Sequence, residues 1–176
     1  MRVLTESEAR TWLANIGIVD LGPAGHGFPA FPPPGFQRID CWCPENSGKK
    51  VALARWMHRQ LQTDNEILIW VRNWNVWPSM GHLPLLHRFR EALGQPKDLE
   101  EFPAQLFSAD ESDDAVSLLI LALEFSWDCC LVGAKHRFLC FFSHDGYYSP
   151  MTNDQALFAQ MHQSISSGNW GKVKKL

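Results

Sequence analysis

No stretch of this sequence stays apolar for the ~18 residues that a bilayer-spanning helix requires. The longest run, AVSLLILALEF over 115–125, stops well short. The opening MRVLTESEARTWLANIG brings in charge at once and is followed by no apolar core of a signal peptide, so a cytoplasmic chain with no membrane partner is expected. An excess of positive charge is also missing: 16 Lys and Arg stand against 19 Asp and Glu, a net charge of -3. The only basic cluster is the tail GKVKKL, so a footprint for duplex nucleic acid is not expected.

The cysteines are few and arranged unlike staples. There are five, an odd number, with Cys129 next to Cys130 and a Cys41-Trp42-Cys43 triplet. Reduced thiols of a cytosolic protein are the simpler account. Cys41 and Cys43 would share one strand face, but no second CxxC or HxxxH pair supplies the remaining zinc ligands, so no metal is expected. GPAGHGFP lacks the Lys and the Ser or Thr of a phosphate loop, and no helix follows its glycines, so no nucleotide or other cofactor is expected. Internal repeats and low-complexity tracts are absent.

What remains is ordinary globular composition, 45 % hydrophobic and 20 % charged over 176 residues, enough for one domain spanning 1–176. Thr5 and Glu8 make a capping box, and Trp12, Leu13 and Ile16 recur at helical spacing, which predicts a helix over about 5–15. Residues 17–35 hold too many prolines and glycines for a regular element; with Phe28, Phe31 and Phe36 they read as an ordered loop packed on the body. FQRIDCWC reads as a strand, GKKVALARWMHRQLQ as an amphipathic helix and EILIWV as a central buried strand, so a crossover unit is expected. Leu85, Leu86, Phe89 and Leu93 form the apolar face of a helix stopped by Gly94. A linker rich in proline and acidic residues then leads to a deep helix from Asp110–Asp114 to about Phe125. WDCCLVGAKHRFLCFFSHD predicts a hairpin, and Thr152 with Gln155 predicts a capping box ahead of a closing helix carrying Ala156, Leu157, Met161 and Ile165. The expected fold is α+β or α/β, a mixed sheet of about four strands with a C-terminal antiparallel hairpin and helices packed on it.

Two places invite chemistry. FFSHDGYYSP sets Ser143, His144 and Asp145 in a row, but neighbouring strand side chains point to opposite faces, so the three are no catalytic triad. A hairpin turning at 134–135 puts Val132 opposite Phe138, Trp127 opposite Ser143 and Ser126 opposite His144. Asp128, and with it Glu124, then lies near His144 and Asp145. Carboxylates around an imidazole could serve acid or base catalysis in a hydrolase or transferase. The plainer reading makes Asp145-Gly146 a turn, Asp128 a strand-start cap and His144 a half-buried histidine.

The second place is WVRNWNVWPS, where Arg72, Asn73, Trp74 and Trp77 would leave the end of a central strand, with Trp and Arg the residues most enriched at binding hot spots. Its plainer reading is a tryptophan lid on the core. Because no specific catalytic motif is present, the sequence favours a protein-binding module of bacterial type, such as an inhibitor, immunity or regulatory protein, over the enzyme.

Overall fold

Thr5 caps the first helix as its spacing predicts. Its hydroxyl accepts the Glu8 amide at 3.2 Å, and Glu8 returns a bond to the Thr5 amide at 2.8 Å. The computed structural model describes residues 1–18, 33–73, 83–95, 97–135, 137–167 and 170–173. In chain order these form β1 (Arg2–Leu4), α1 (Glu6–Asn15), β2 (Gln37–Arg38), β3 (Cys41–Trp42), α2 (Ser47–Gln60), β4 (Glu66–Asn73), α3 (Leu83–Ala92), β5 (Ala104–Ser108), α4 (Ser112–Glu124), β6 (Asp128–Gly133), β7 (Phe138–Ser143), β8 (Tyr147–Thr152) and α5 (Gln155–Ser166).

The strands make one sheet in the order β1-β5-β4-β6-β7-β8-β2, with β3 also on β8, and every described pairing is antiparallel. This α+β domain therefore has eight strands where about four of mixed direction were expected, and α2 is no crossover between parallel neighbours. It leads from β3 at one edge to β4 in the middle. Three strands were missed, each for its own reason. β1 has three residues, and β5 sits in what reads as a linker. β8 contains Pro150. That proline is tolerated because its carbonyl accepts from Ile39 between β2 and β3, so its missing N–H faces the side where edge pairing is interrupted.

Each sheet face buries its own core. Ile67, Ile69, Val71, Phe107, Leu131, Phe138 and Phe142 pack under α2, α4 and α5. Leu68, Trp70, Leu106, Val132, Leu139 and Met151 pack with Leu13, Ile18 and Phe36 on the other side. With both faces apolar, alternation cannot specify the β6–β7 register. Val132 pairs with Leu139, not Phe138, and the pairing runs out to Cys129 with Phe142. The one-residue difference follows from the faces: Val132 and Leu139 belong to one core, whereas Phe138 belongs to the other.

One helix end and one helix face also differ from expectation. Asp154, not Thr152, caps α5, accepting the Ala156 and Leu157 amides at 2.9 and 3.1 Å. Thr152 is a β8 residue whose hydroxyl is donated to the Arg137 carbonyl. On α3, Leu86 is buried but Leu85 is 46 % exposed, so the apolar stripe is narrower than the sequence suggests. Gly94 does take the left-handed conformation, at φ +72°. Residues 19–32, the bulk of the Pro- and Gly-rich loop expected at 17–35, lie outside the described residues. No described helix is long and apolar enough to cross a membrane.

Candidate functional site

Asp128 is positioned by a helix end and a strand start. α4 closes with Ser126 at φ +53°, the left-handed position usually given to glycine. The Trp127 amide reaches back to the Ala122 carbonyl at 3.0 Å, and the Phe125 amide to that of Leu121 at 3.0 Å. The chain reverses there and enters β6 at Asp128, which pairs with Asn73 of β4. Continuing the β6–β7 register sets Asp128, not Trp127, across from Ser143.

The β7–β8 connection explains the other half of the site. Ser143 pairs with Tyr147, leaving the three-residue loop His144, Asp145 and Gly146. Gly146 sits at φ +79° and its amide bonds the Ser143 carbonyl at 3.0 Å, a β-turn followed by a left-handed residue. The Ser143 hydroxyl accepts the Asp145 amide at 3.2 Å. The consecutive Ser-His-Asp is thus a hairpin turn.

Asp128 holds that turn from the neighbouring strand. Its Oδ1 accepts the His144 amide at 2.6 Å, and the imidazole Nδ1 lies 2.9 and 2.8 Å from Oδ1 and Oδ2. The aspartate is 6 % exposed, while the His144 ring is 30 % exposed, with Nε2 3.6 Å from Asp145 Oδ1. The carboxylate therefore does two things at once: it ties the loop backbone to β6 and fixes the orientation of the ring, leaving Nε2 as the imidazole's reactive nitrogen. Asp128, His144 and Asp145 come together as the sequence suggested. Glu124 does not join them. Its Oε2 is 3.2 Å from Lys50 Nζ, and it stitches α4 to α2. Among the described residues no group of three or more His, Cys, Asp or Glu is arranged to hold a metal.

Arg72 stands on the adjacent strand. The β4–β6 register shifts between Val71 and Asn73, which makes Arg72 the extra residue of a bulge beside Asp128, and bulges re-aim side chains at the ends of sheets. Its guanidinium lies over the Trp70 ring at 4.7 Å, and the Arg10 guanidinium approaches the same buried ring at 5.7 Å. Arg72 makes no ion pair among the described residues, and its Nη1 is buried with no hydrogen-bond partner. The sequence groups Trp70 with Arg72 in one segment, and their i, i+2 spacing on one strand lets the guanidinium reach the ring. Asn73 ends β4 opposite Asp128; Trp74 and Trp77 lie outside the described residues.

The thiols take no part in this site. Cys41, Cys129, Cys130 and Cys140 are buried, Cys43 is half-buried, and all five are free. Burial pushes Cys41, Cys43 and Cys130 up to about 12, far from the thiolate a nucleophile needs. Cavities of about 290 to 640 Å³ are lined by described residues at other places on the molecule. No protein-family model, no curated protein and no solved structure matches the chain.

Proposed function

We propose that the chain is a protein-binding module, an inhibitor, immunity or regulatory protein. Its recognition surface would be the sheet end where Arg72, Asp128, His144 and Asp145 meet. The observation that carries this reading is Arg72: a half-buried cation seated on Trp70, without an ion-pair partner among the described residues, beside a fixed carboxylate–imidazole pair. Holding a guanidinium in place before a partner arrives removes much of the side-chain ordering cost of binding. Groups of both signs on adjoining strands suit a macromolecular surface, where one partner carboxylate could engage Arg72 in a fork.

The Asp128–His144 geometry favours a second reading, a hydrolase or transferase with Nε2 as general base, oriented by Asp128 and flanked by Asp145. The two readings part on one experiment. Chemically cross-linked capture from the native host is compared for the wild type, Arg72→Gln and His144→Gln. The binding module expects one partner captured by the wild type and lost in Arg72→Gln while the protein stays folded, with affinity down by ~30-fold or more, as for an arginine hot spot. Equal capture by all three proteins, together with a turnover that His144→Gln abolishes, would reverse the order of the readings.

A further inference from the structure

The outer side of the helical layer carries a second constellation, separate from the turn at His144. None of the 14 residues of α2 is acidic, while Lys49, Lys50, Arg55 and Arg59 are basic. Lys50 is taken by Glu124. Arg55 and Arg59, one helical turn apart and both exposed, make no ion pair among the described residues. They stand on one wall of a groove of about 640 Å³ between α2 and α4, a size that suits a small organic ligand. Ser112 and Ser117 on the far wall already donate their hydroxyls to the Ala109 and Asp113 carbonyls, at 2.7 and 2.8 Å. The arginines therefore supply the groove's strong donors, and Val116 and Ile120 give it an apolar patch.

We propose that this groove binds a small phosphate monoester, with Arg55 and Arg59 gripping the phosphoryl oxygens and Val116 and Ile120 receiving the organic body. Side chains four apart on a helix are neighbours, within ~6 Å at their Cβ atoms, so both guanidinium groups can reach one anion. A carboxylate has two oxygens and one charge and satisfies a single fork. A phosphoryl group offers three oxygens and up to two charges, which matches a pair of forks. His58 lies between the arginines in sequence and is 9 % exposed. Burial holds its imidazole below the ordinary histidine range, and Asp113 across the groove opposes that shift. The charged groups that line the groove with His58 are Arg55 and Arg59 on its own helix and Asp113 on α4, and of these Asp113 acts on its titration. A bound dianion adds to the pull of Asp113, so binding takes up a proton at His58.

Isothermal titration with phenyl phosphate, inorganic phosphate and sulfate tests this on the whole chain. The expected result is saturable binding in which phenyl phosphate exceeds inorganic phosphate. Arg55→Gln and Arg59→Gln should each weaken phenyl phosphate by about tenfold or more without lowering the melting temperature. Lys49→Gln, outside the groove, should leave binding unchanged. Sulfate keeps its charge across neutral and mildly acidic pH, so its tightening as pH falls reports His58 and should vanish in His58→Gln. Absence of saturation, or losses in the arginine variants no larger than in Lys49→Gln, overturns the proposal.

Discussion

Replacing Asp128 separates the two tasks its carboxylate performs. Each bond is charge-assisted, and such bonds contribute about 1.5–3 kcal/mol when formed to an ionised group. Alanine removes both the clamp on the His144 amide at 2.6 Å and the support of the ring at 2.8 Å, so Asp128→Ala should destabilise by about 3 kcal/mol at the lower bound for two bonds. Asparagine keeps an oxygen for the amide but loses the charge, which predicts a smaller loss of about 1–2 kcal/mol. His144→Gln spares the amide clamp and should cost about 1.5 kcal/mol, one such bond. Urea unfolding at constant m measures all three, and the double variant closes a thermodynamic cycle whose coupling isolates the carboxylate–imidazole bond. The order Ala above Asn, with His144→Gln well below Ala, is the expected result. If Asp128→Ala costs under about 1 kcal/mol, or no more than His144→Gln, the backbone clamp contributes nothing and the account of this turn is wrong.

Two further outcomes follow from packing. A Cβ at Gly133 would lie 2.5 Å from Leu61 Cδ2 and closer still to Asp64 Oδ2; Asp64 is buried and Leu61 is part of the core, so Gly133→Ala should destabilise by about 1–3 kcal/mol, read by thermal unfolding, and a neutral result would refute this packing. Four of the five cysteines are buried, so a thiol reagent should modify at most one rapidly in the native protein and all five after unfolding; immediate reaction of all five would contradict the two-faced sheet.

How far the sequence reached depended on whether a signal was local. The Thr5–Glu8 box, Gly94 and the β6–β7 hairpin were legible because each is decided within a few residues. Strand number was not. Ala104–Ser108 and Tyr147–Thr152 are strands because of what lies beside them, and neither alternates cleanly between apolar and polar residues. At the site, the meeting of Asp128 with His144 was readable from hairpin logic even with the register one residue off, since a strand end moves little in a one-residue slip. The absence of Glu124 was not readable. Its direction depends on the reversal at Ser126 and on Lys50, 74 residues away in the chain.

The order of strands in the sheet also bears on how the chain is finished during synthesis. The outer strands of the sheet precede their partners in the chain: β1 lines Ala104–Leu106, while β2 and β3 line Tyr147–Thr152. On a ribosome these segments emerge ahead of their partners and must wait for strands made roughly a hundred residues later, which takes about 5–20 s at usual elongation rates. The meander of β6, β7 and β8, by contrast, has its partners at hand as soon as it is made. The nascent chain thus carries its border strands unpaired until the centre exists. A ribosome-bound fragment ending before β8 should leave β2 and β3 open to protease while the full-length protein protects them.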